Sequence, residues 1–216
     1  MDEAQGREMT LRDRVAMSIL ERCFMCDGEA CTVAMGNIVG RPRDLQMVSA
    51  LLWEMLQRRE RDCIAGVTPV GTCLATALAL DMNTPQVFPF IGRYSTSGKC
   101  IVHGSGRPGQ RVVLISHDVV NGASMIEAVL YLREAGFIVQ DALTLVSFEA
   151  GDGGEALSDI DISLTECFRF QELLDYYIAH HRITRQHADA AFKMVQAEAI
   201  RRVNEQATCS VSVLRC

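Results

Sequence analysis

The sequence lacks any apolar run near the roughly 18 residues that a membrane-spanning helix needs. It also lacks an excess of positive charge, because 21 Lys and Arg stand against 27 Asp and Glu for a net charge of -6. Proteins that bind nucleic acid usually carry a basic surface, so nucleic acid is not an expected partner. Residues 1–14 have no apolar core and carry early acidic residues. Neither a secretory signal nor a typical transit peptide is therefore expected.

Internal repeats and low-complexity segments are also missing, and 49% hydrophobic with 22% charged residues is an ordinary globular composition. We expect one main domain in residues 1–165. Residues 166–216 are predicted to form a helical extension packed on it.

The nine cysteines include one close group, "CFMCDGEAC", which contains Cys23, Cys26 and Cys31. A structural zinc site usually needs a second cysteine pair or a paired-histidine motif, and neither follows at a useful distance. Buried or idle thiols are therefore favoured over zinc. Without a signal peptide, reduced thiols indicate the cytoplasm or another reducing intracellular compartment.

Helical periodicity dominates the first third of the chain. Residues 10–24 and 42–60 both read as amphipathic helices, and the second follows Pro42. Its core-facing stripe comprises Leu45, Val48, Leu51, Leu52 and Met55.

Strands then alternate with helices. The run "CIAGV" is followed by the glycine turn "TPVGT" and the helix "CLATALALDM". The same unit recurs as the strand "RVVLISHD", the turn "VVNGAS" and a helix over Met125–Ala135 that ends at Gly136. The segment "DALTLVSFEA" adds another strand. This order predicts an α/β fold with a central, mainly parallel sheet and ligand sites at the carboxyl ends of its strands.

The sequence also makes predictions for a glycine-rich segment and for the carboxyl-terminal tail. Gly92 to Gly104 is rich in Gly and Ser without a sustained period, which predicts a flap. The tail predicts two helices broken near "HHRIT", with Thr184 as an N-cap. Three histidines of this polar tail are expected to be solvated rather than to bind metal: His180, His181 and His187.

The turn after "RVVLISHD" has the makeup of a phosphate-binding loop. Small residues let backbone N–H groups converge on an anion, side-chain donors add to them, and a helix begins just beyond. The candidate residues are Asp118, Asn121, Gly122, Ala123 and Ser124, with Asp118 placed to accept from ribose hydroxyls. The alternative is an ordinary turn in which Ser124 is an N-cap.

Five stretches, in order along residues 11–200, resemble the orotate phosphoribosyltransferase family, especially the form found in UMP synthase. They are "NIVGRPRDL", "AGVTPVGTCLATALA", "RPGQRVVLISHDVVNGASMIEAVLYLREAGFIV", "LVSFEAGDGGEAL" and the linker-like "ISLTECFRFQELLDYYIAHHRIT". The resemblance implies a type I phosphoribosyltransferase fold with a helical carboxyl-terminal tail. It also implies a pyrophosphate loop at Pro69, Val70 and Gly71.

The family's reaction, as the resemblance implies it, transfers phosphoribose from phosphoribosyl pyrophosphate (PRPP) to orotate with Mg2+. It would also imply a dimer. Both substrates are anionic, so such a site needs lysines and arginines. In this chain Cys26 and Asp27 stand at or beside the position of the family's substrate lysine, and Phe148 stands at that of its orotate-binding arginine.

The other departures concern the flap and the phosphate loop. The flap contains two cations, Arg93 and Lys99, and neither falls cleanly on the family pattern. The acidic pair of the loop reads His117-Asp118, and "NGAS" is about one residue shorter than the family's loop. Several lost charged contacts, each worth about 1.5–3 kcal/mol, would weaken substrate binding substantially.

Two hypotheses follow. The first is a protein that has lost PRPP-dependent catalysis and serves as a structural or regulatory subunit, needing no cofactor and pairing with itself or with other protein subunits. The second is a divergent active orotate phosphoribosyltransferase of pyrimidine biosynthesis, or a relative that uses another base, with Mg2+ and PRPP. Under the first hypothesis no residue is catalytic. Neither hypothesis predicts a metal site built from protein ligands alone.

Overall fold

The computed structural model describes residues 9–57, 59–89, 102–148 and 152–213, with side chains as far as Arg201. The helices are α1 (Leu11–Cys23), α2 (Pro42–Leu56), α3 (Thr68–Met82), α4 (Ala123–Glu134), α5 (Gly153–Ser158), α6 (Phe170–Ala179) and α7 (Arg185–Val213). The strands are β1 (Phe24–Asp27), β2 (Ala30–Val33), β3 (Cys63–Gly66), β4 (Gln86–Pro89), β5 (Val102–Gly104), β6 (Arg111–Val119), β7 (Ile138–Ser147) and β8 (Ser163–Arg169). A 3-10 helix covers Met35–Gly40.

Six strands form the central sheet in the order β5-β4-β3-β6-β7-β8. Strands β4, β3, β6, β7 and β8 run parallel, and β5 is antiparallel to β4 at one edge. The predicted α/β architecture with a mainly parallel sheet is confirmed.

Strand β6 is a continuous apolar run because both faces of the sheet are covered at this strand. Val113 and Ile115 belong to the core on one face of the sheet, whereas Val112 and Leu114 belong to the core on the other. Successive side chains of a strand point to opposite faces, so a strand covered on both sides is apolar at every position. Helices α1, α2, α3, α6 and α7 contribute to the first core, and α4 and α5 to the second.

The two early helices are confirmed, although α2 ends at Leu56 rather than at residue 60. Within its predicted stripe, Val48, Leu51 and Leu52 are buried, and the two end residues pack partly buried against the same core. The predicted turn "TPVGT" is wrong, because α3 begins at Thr68 and includes these residues. Helix α4 likewise begins two residues before the predicted start.

The segment expected to be a helical linker begins as a strand. Residues Ser163–Arg169 form β8, which pairs parallel with β7, and α6 follows directly. Strand β8 is exposed at both ends, half-buried over its next three residues and buried at Cys167 and Phe168, so it is less fully buried than the inner strands. The predicted boundary between residues 165 and 166 falls inside β8, and the division of the chain there stays a prediction.

The first two strands form an antiparallel hairpin outside the main sheet. Its two-residue turn, Gly28 and Glu29, sets Cys26 directly opposite Cys31, and the two cysteines form a disulfide. The expectation of reduced thiols is therefore wrong for this pair. Cys23 is a buried free thiol, and burial raises its pKa to about 12.

The expected flap falls between β4 and β5, which pair antiparallel at the sheet edge. Its last residues, Val102–Gly104, are strand β5. The rest of the predicted flap, with Arg93 and Lys99, lies outside the described residues.

The tail contains the two predicted helices. The Thr184 hydroxyl accepts from the His187 N–H at 3.2 Å, which confirms Thr184 as the cap of α7. His180 and His181 lie in the turn between α6 and α7 rather than on a helix, and His187 lies on α7. Within the part of the chain searched, no helix is long and apolar enough to span a membrane.

Candidate functional site

A cavity of about 170 Å³ opens at the carboxyl end of β6. Three segments enclose it: the end of β6 with the loop after it, the first turn of α4, and the turn between β3 and α3. Its lining residues are Val67, Thr68, Ser116, His117, Asp118, Val119, Val120, Asn121, Gly122, Ala123, Ser124 and Met125. All five residues predicted for a phosphate loop therefore meet in one cavity.

The turn from β3 into α3 is tight because glycines allow close backbone contacts. A Cβ at Gly66 would lie 2.3 Å from the Thr72 Cα, and one at Gly71 would lie 2.7 Å from the Ile115 carbonyl oxygen. The turn places Thr68 at a φ of 65°, an uncommon conformation for a β-branched residue. The Thr68 hydroxyl accepts from the Gly71 N–H at 3.4 Å, a contact within the first turn of α3.

The loop between β6 and α4 is closed by its own residues. Gly122 has a φ of 73°, and a Cβ there would lie 3.0 Å from the Gly153 carbonyl oxygen. The Ala123 N–H donates to the Asn121 Oδ1 at 3.3 Å, so both groups are engaged inside the loop. Gly122 is the N-cap of α4 and Ser124 lies in its first turn, so the alternative role of Ser124 as N-cap is wrong.

His117 and Asp118 supply the ionisable groups of the cavity lining. His117 Nε2 lies 3.3 Å from Asp118 Oδ1, and its Nδ1 lies 3.5 Å from the Thr68 hydroxyl. Both ionisable side chains are largely buried, with 12% and 13% of their surface exposed. The histidine is thus held between a carboxylate and a hydroxyl at the mouth of the sheet.

Among the described residues that line the cavity, none is Lys or Arg. Phe148, where the resemblance implies an arginine, is 5% exposed and belongs to the core. Its ring lies 4.7 Å from that of Phe170, measured between centroids. The side chain at this position therefore packs into an aromatic cluster and does not line the cavity.

The remaining predicted positions that the structure describes also lie outside the lining. Cys26 and Asp27 are exposed on the β1–β2 hairpin, which packs against α7. The predicted pyrophosphate loop, Pro69 to Gly71, forms the first turn of α3 just beyond the cavity wall. Arg93 is outside the described residues.

A resident metal has a poor donor set here. Magnesium is bound through oxygen ligands, usually one or two carboxylates with substrate phosphates. Asp118 is the one carboxylate among the described lining residues, and the imidazole of His117 is already beside it. In the searched part of the chain, no three His, Cys, Asp or Glu side chains are grouped as metal ligands.

Sequence reasoning missed Thr68 and Ser116. The Ser116 hydroxyl is buried and donates to the Asp118 carbonyl oxygen at 2.7 Å, which helps to fix the end of β6. Thr68 could have been found as the residue before a proline at a helix start, a usual place for a capping hydroxyl. Its approach to His117, by contrast, joins residues 49 positions apart in sequence.

This arrangement, with a parallel sheet and a small-residue loop between β6 and α4, is that of a type I phosphoribosyltransferase fold. Solved structures agree: the UMP synthase of Leishmania donovani matches 87% of this chain and 42% of its own length with a TM-score of 0.72 and 21% identity. The chain thus spans less than half of that protein.

Curated sequences give the family. The orotate phosphoribosyltransferase of Methanocorpusculum labreanum is 30% identical over 129 residues, covering 60% of this chain and 75% of the relative. That of Chlamydia pneumoniae is 27% identical over 154 residues, covering 70% and 73%. No model of a known protein family matches the chain. The chain belongs to the orotate phosphoribosyltransferase family, as a divergent member.

Proposed function

We propose that the protein keeps a site for a single phosphate group but has lost the transfer of phosphoribose from PRPP to orotate. In this proposal it acts as a structural or regulatory subunit, with itself or with other proteins as partners. The observation that carries the proposal is the charge of the cavity lining. Its ionisable groups are one histidine and one aspartate, with no Lys or Arg among the described lining residues.

The chemistry of PRPP makes this charge decisive. Pyrophosphate departs with several negative charges, and enzymes stabilise such charge with preorganised cations or donors. Removing one such group ordinarily costs roughly 3–4 kcal/mol of transition-state stabilisation, close to a thousandfold in rate. A lining with Asp118 and no lysine or arginine opposes both PRPP binding and pyrophosphate departure.

The packing around Phe148 supports the same conclusion. A side chain in van der Waals contact with Phe170 and 5% exposed offers no charge to orotate. The core clusters on both sheet faces are meanwhile filled. The packed core of the fold is present, whereas the cationic residues that the resemblance implies have been replaced. This combination fits a protein whose fold serves assembly with other subunits.

A second candidate is a divergent active enzyme that uses Mg2+ with PRPP. Membership in the family and the enclosed loop favour it. Its missing positive charge would have to come from elsewhere, and His117 or Arg93 is the first candidate.

One assay separates the two candidates. The purified full chain is supplied with orotate, PRPP and Mg2+, and orotidylate formation is followed beside calorimetric titration with PRPP. The proposal expects no product above background and PRPP binding weaker than about 10 micromolar. Turnover by the unmodified chain would overturn the proposal and favour the second candidate, and its loss in Arg93→Ala would assign the missing positive charge to that residue. The variant Gly154→Ala is the control, because a Cβ there meets nothing within 4 Å.

A further inference from the structure

We propose that the Cys26–Cys31 disulfide is a reversible thiol–disulfide exchange site, at which a small thiol of the glutathione class attacks Cys26. The site belongs to the β1–β2 hairpin, whose residues lie outside the lining of the cavity at β6, so it is independent of the proposed function. In the oxidised chain the bond holds the hairpin closed beside α7. Reduction of the bond releases that constraint.

The register of the hairpin explains why these two cysteines pair. Cys26 and Cys31 are directly opposite each other, next to the Asp27–Ala30 pair that flanks the turn. Opposite residues of an antiparallel pair carry their side chains on the same face and close together. The bond can therefore form and break without a change of strand register.

The two bonded cysteines differ in exposure. Cys26 is exposed, whereas Cys31 is 4% exposed and belongs to the hydrophobic core. Thiol–disulfide exchange depends on which sulfur the attacking thiolate can reach. A dissolved thiol therefore attacks Cys26, and Cys31 is the leaving group.

The exchange is balanced over two steps. The thiolate of the small thiol bonds to the Cys26 sulfur, the Cys26–Cys31 bond breaks, and Cys31 leaves as a thiolate that takes up a proton. A second small thiolate then attacks the small-molecule sulfur of this mixed disulfide. Cys26 leaves as a thiolate and is protonated, and the two small thiols depart joined as their disulfide. The protein gains the two electrons that the small thiols lose, and the reverse sequence oxidises it again.

The third cysteine of the group does not take part. Cys23 is fully buried, and its Sγ lies 3.8 Å from the Met35 carbonyl oxygen. Burial raises the pKa of this thiol to about 12, so it is almost entirely protonated at neutral pH. Because the thiolate is the nucleophile in such exchange, Cys23 does not compete with Cys31 for Cys26.

The hairpin is the part of the fold that the bond controls. Its two strands have four residues each and pair outside the main sheet. Strand β2 packs against α7, and the His187 Nε2 lies 2.9 Å from the Gly28 carbonyl oxygen at the turn. A two-stranded hairpin by itself is marginally stable in water, so a covalent link across it adds to its order. Reduction should therefore loosen the hairpin and its contact with His187 while the sheet stays folded.

The experiment equilibrates the full chain with graded ratios of reduced to oxidised glutathione, without denaturant, and maps the thiols by mass spectrometry after an acid quench. We expect the pair to pass from mostly oxidised to mostly reduced over about a hundredfold range of squared thiol concentration divided by disulfide concentration. Amide hydrogen exchange is measured on the same samples. Residues 24–33 should exchange at least about tenfold faster in the reduced chain, and α4 should not change.

Two single-cysteine variants test which sulfur is attacked. Incubated with oxidised glutathione, Cys31→Ser should carry glutathione on Cys26, whereas Cys26→Ser should leave Cys31 unmodified. The same chain supplies matched controls, because Cys73 is an exposed free thiol and Cys167 is 1% exposed. Urea unfolding of each variant checks that the fold is kept, and the titration of the unmodified chain needs no variant.

The outcomes separate an exchange site from a structural bond. A pair that stays oxidised at every glutathione ratio refutes the proposal, and so does reduction that speeds exchange in α4 as much as in the hairpin. Modification of Cys31 in the Cys26→Ser variant, at a rate equal to that of Cys73, refutes the attack on Cys26. Orotidylate formation by the chain would refute the proposed function and leave this inference standing.

Discussion

Replacing Phe148 by arginine tests whether this position belongs to the core or to a ligand site. The resemblance alone invites the change, because the family has an arginine there. In the structure the Phe148 side chain is 5% exposed, and its ring centroid lies 4.7 Å from that of Phe170, which is itself 1% exposed. An arginine there would remove an aromatic contact and place an unpaired charge in an apolar cluster.

The magnitude follows from these two effects. Truncating a buried phenylalanine to alanine costs about 3–5 kcal/mol. Burying an unpaired charge adds to this, partly relieved if the long side chain reaches water. We therefore expect Phe148→Arg to lose at least about 4 kcal/mol of unfolding free energy, and Phe148→Leu to lose less than Phe148→Ala.

Urea unfolding measures the change. With a slope of about 2–3 kcal/mol per molar urea, the midpoint should fall by roughly 1.5–2 M. Leu80→Arg is the control: Leu80 is 79% exposed on α3, arginine is a good helix former, and the change should stay within about 0.5 kcal/mol. A Phe148→Arg protein as stable as the parent that gains orotate binding would show that this side chain can face the site.

Three further predictions concern the loop, the thiols and the tail. Gly122→Ala should lower the free energy of unfolding by about 1–2 kcal/mol and weaken sulfate binding, because Gly122 has a positive φ and its Cβ would lie 3.0 Å from the Gly153 carbonyl oxygen. Gly154→Ala should change neither quantity, because its Cβ meets nothing within 4 Å. Equal unfolding midpoints and sulfate affinities for the two variants would contradict this prediction. Alkylation mapped by mass spectrometry at pH 8 should modify exposed Cys73 well before Cys167, whose pKa burial raises to about 12; equal rates in the native protein would count against it. Thr184→Ala should cost about 1 kcal/mol by removing the cap of α7, and an unchanged urea midpoint would show that the cap contributes nothing.

Local periodicity was enough to predict the sheet and most helices. Strand β6 is apolar at consecutive positions because it is covered on both faces, and the stripe of α2 repeats at the helical period because one face is buried. The loop between β6 and α4 was predictable for the same reason, since small residues between a strand and a helix are contiguous in sequence. The cap at Thr184 was predictable as well, because its hydroxyl accepts from His187, only three residues further along the chain.

Local patterns failed where a partner distant in the chain decides the structure. Strand β8 read as helix because its conformation depends on pairing with β7, and the "TPVGT" turn read as a loop because α3 can start at Thr68 only when glycines let it approach β6. The disulfide between Cys26 and Cys31 follows from the register of the β1–β2 hairpin, which the cysteine spacing alone does not predict.

The sequence by itself determined the fold class, the family and the position of the small-residue loop, because each depends on residues that are neighbours along the chain. Tertiary structure decided what those residues can do. It buried Phe148 against an aromatic ring, and it brought Thr68 from another turn to His117 and Asp118. Whether a side chain is buried, and which charged groups it faces, depends on the residues packed around it. In this cavity Thr68 and His117 are 49 residues apart in sequence and meet only because β3 pairs with β6.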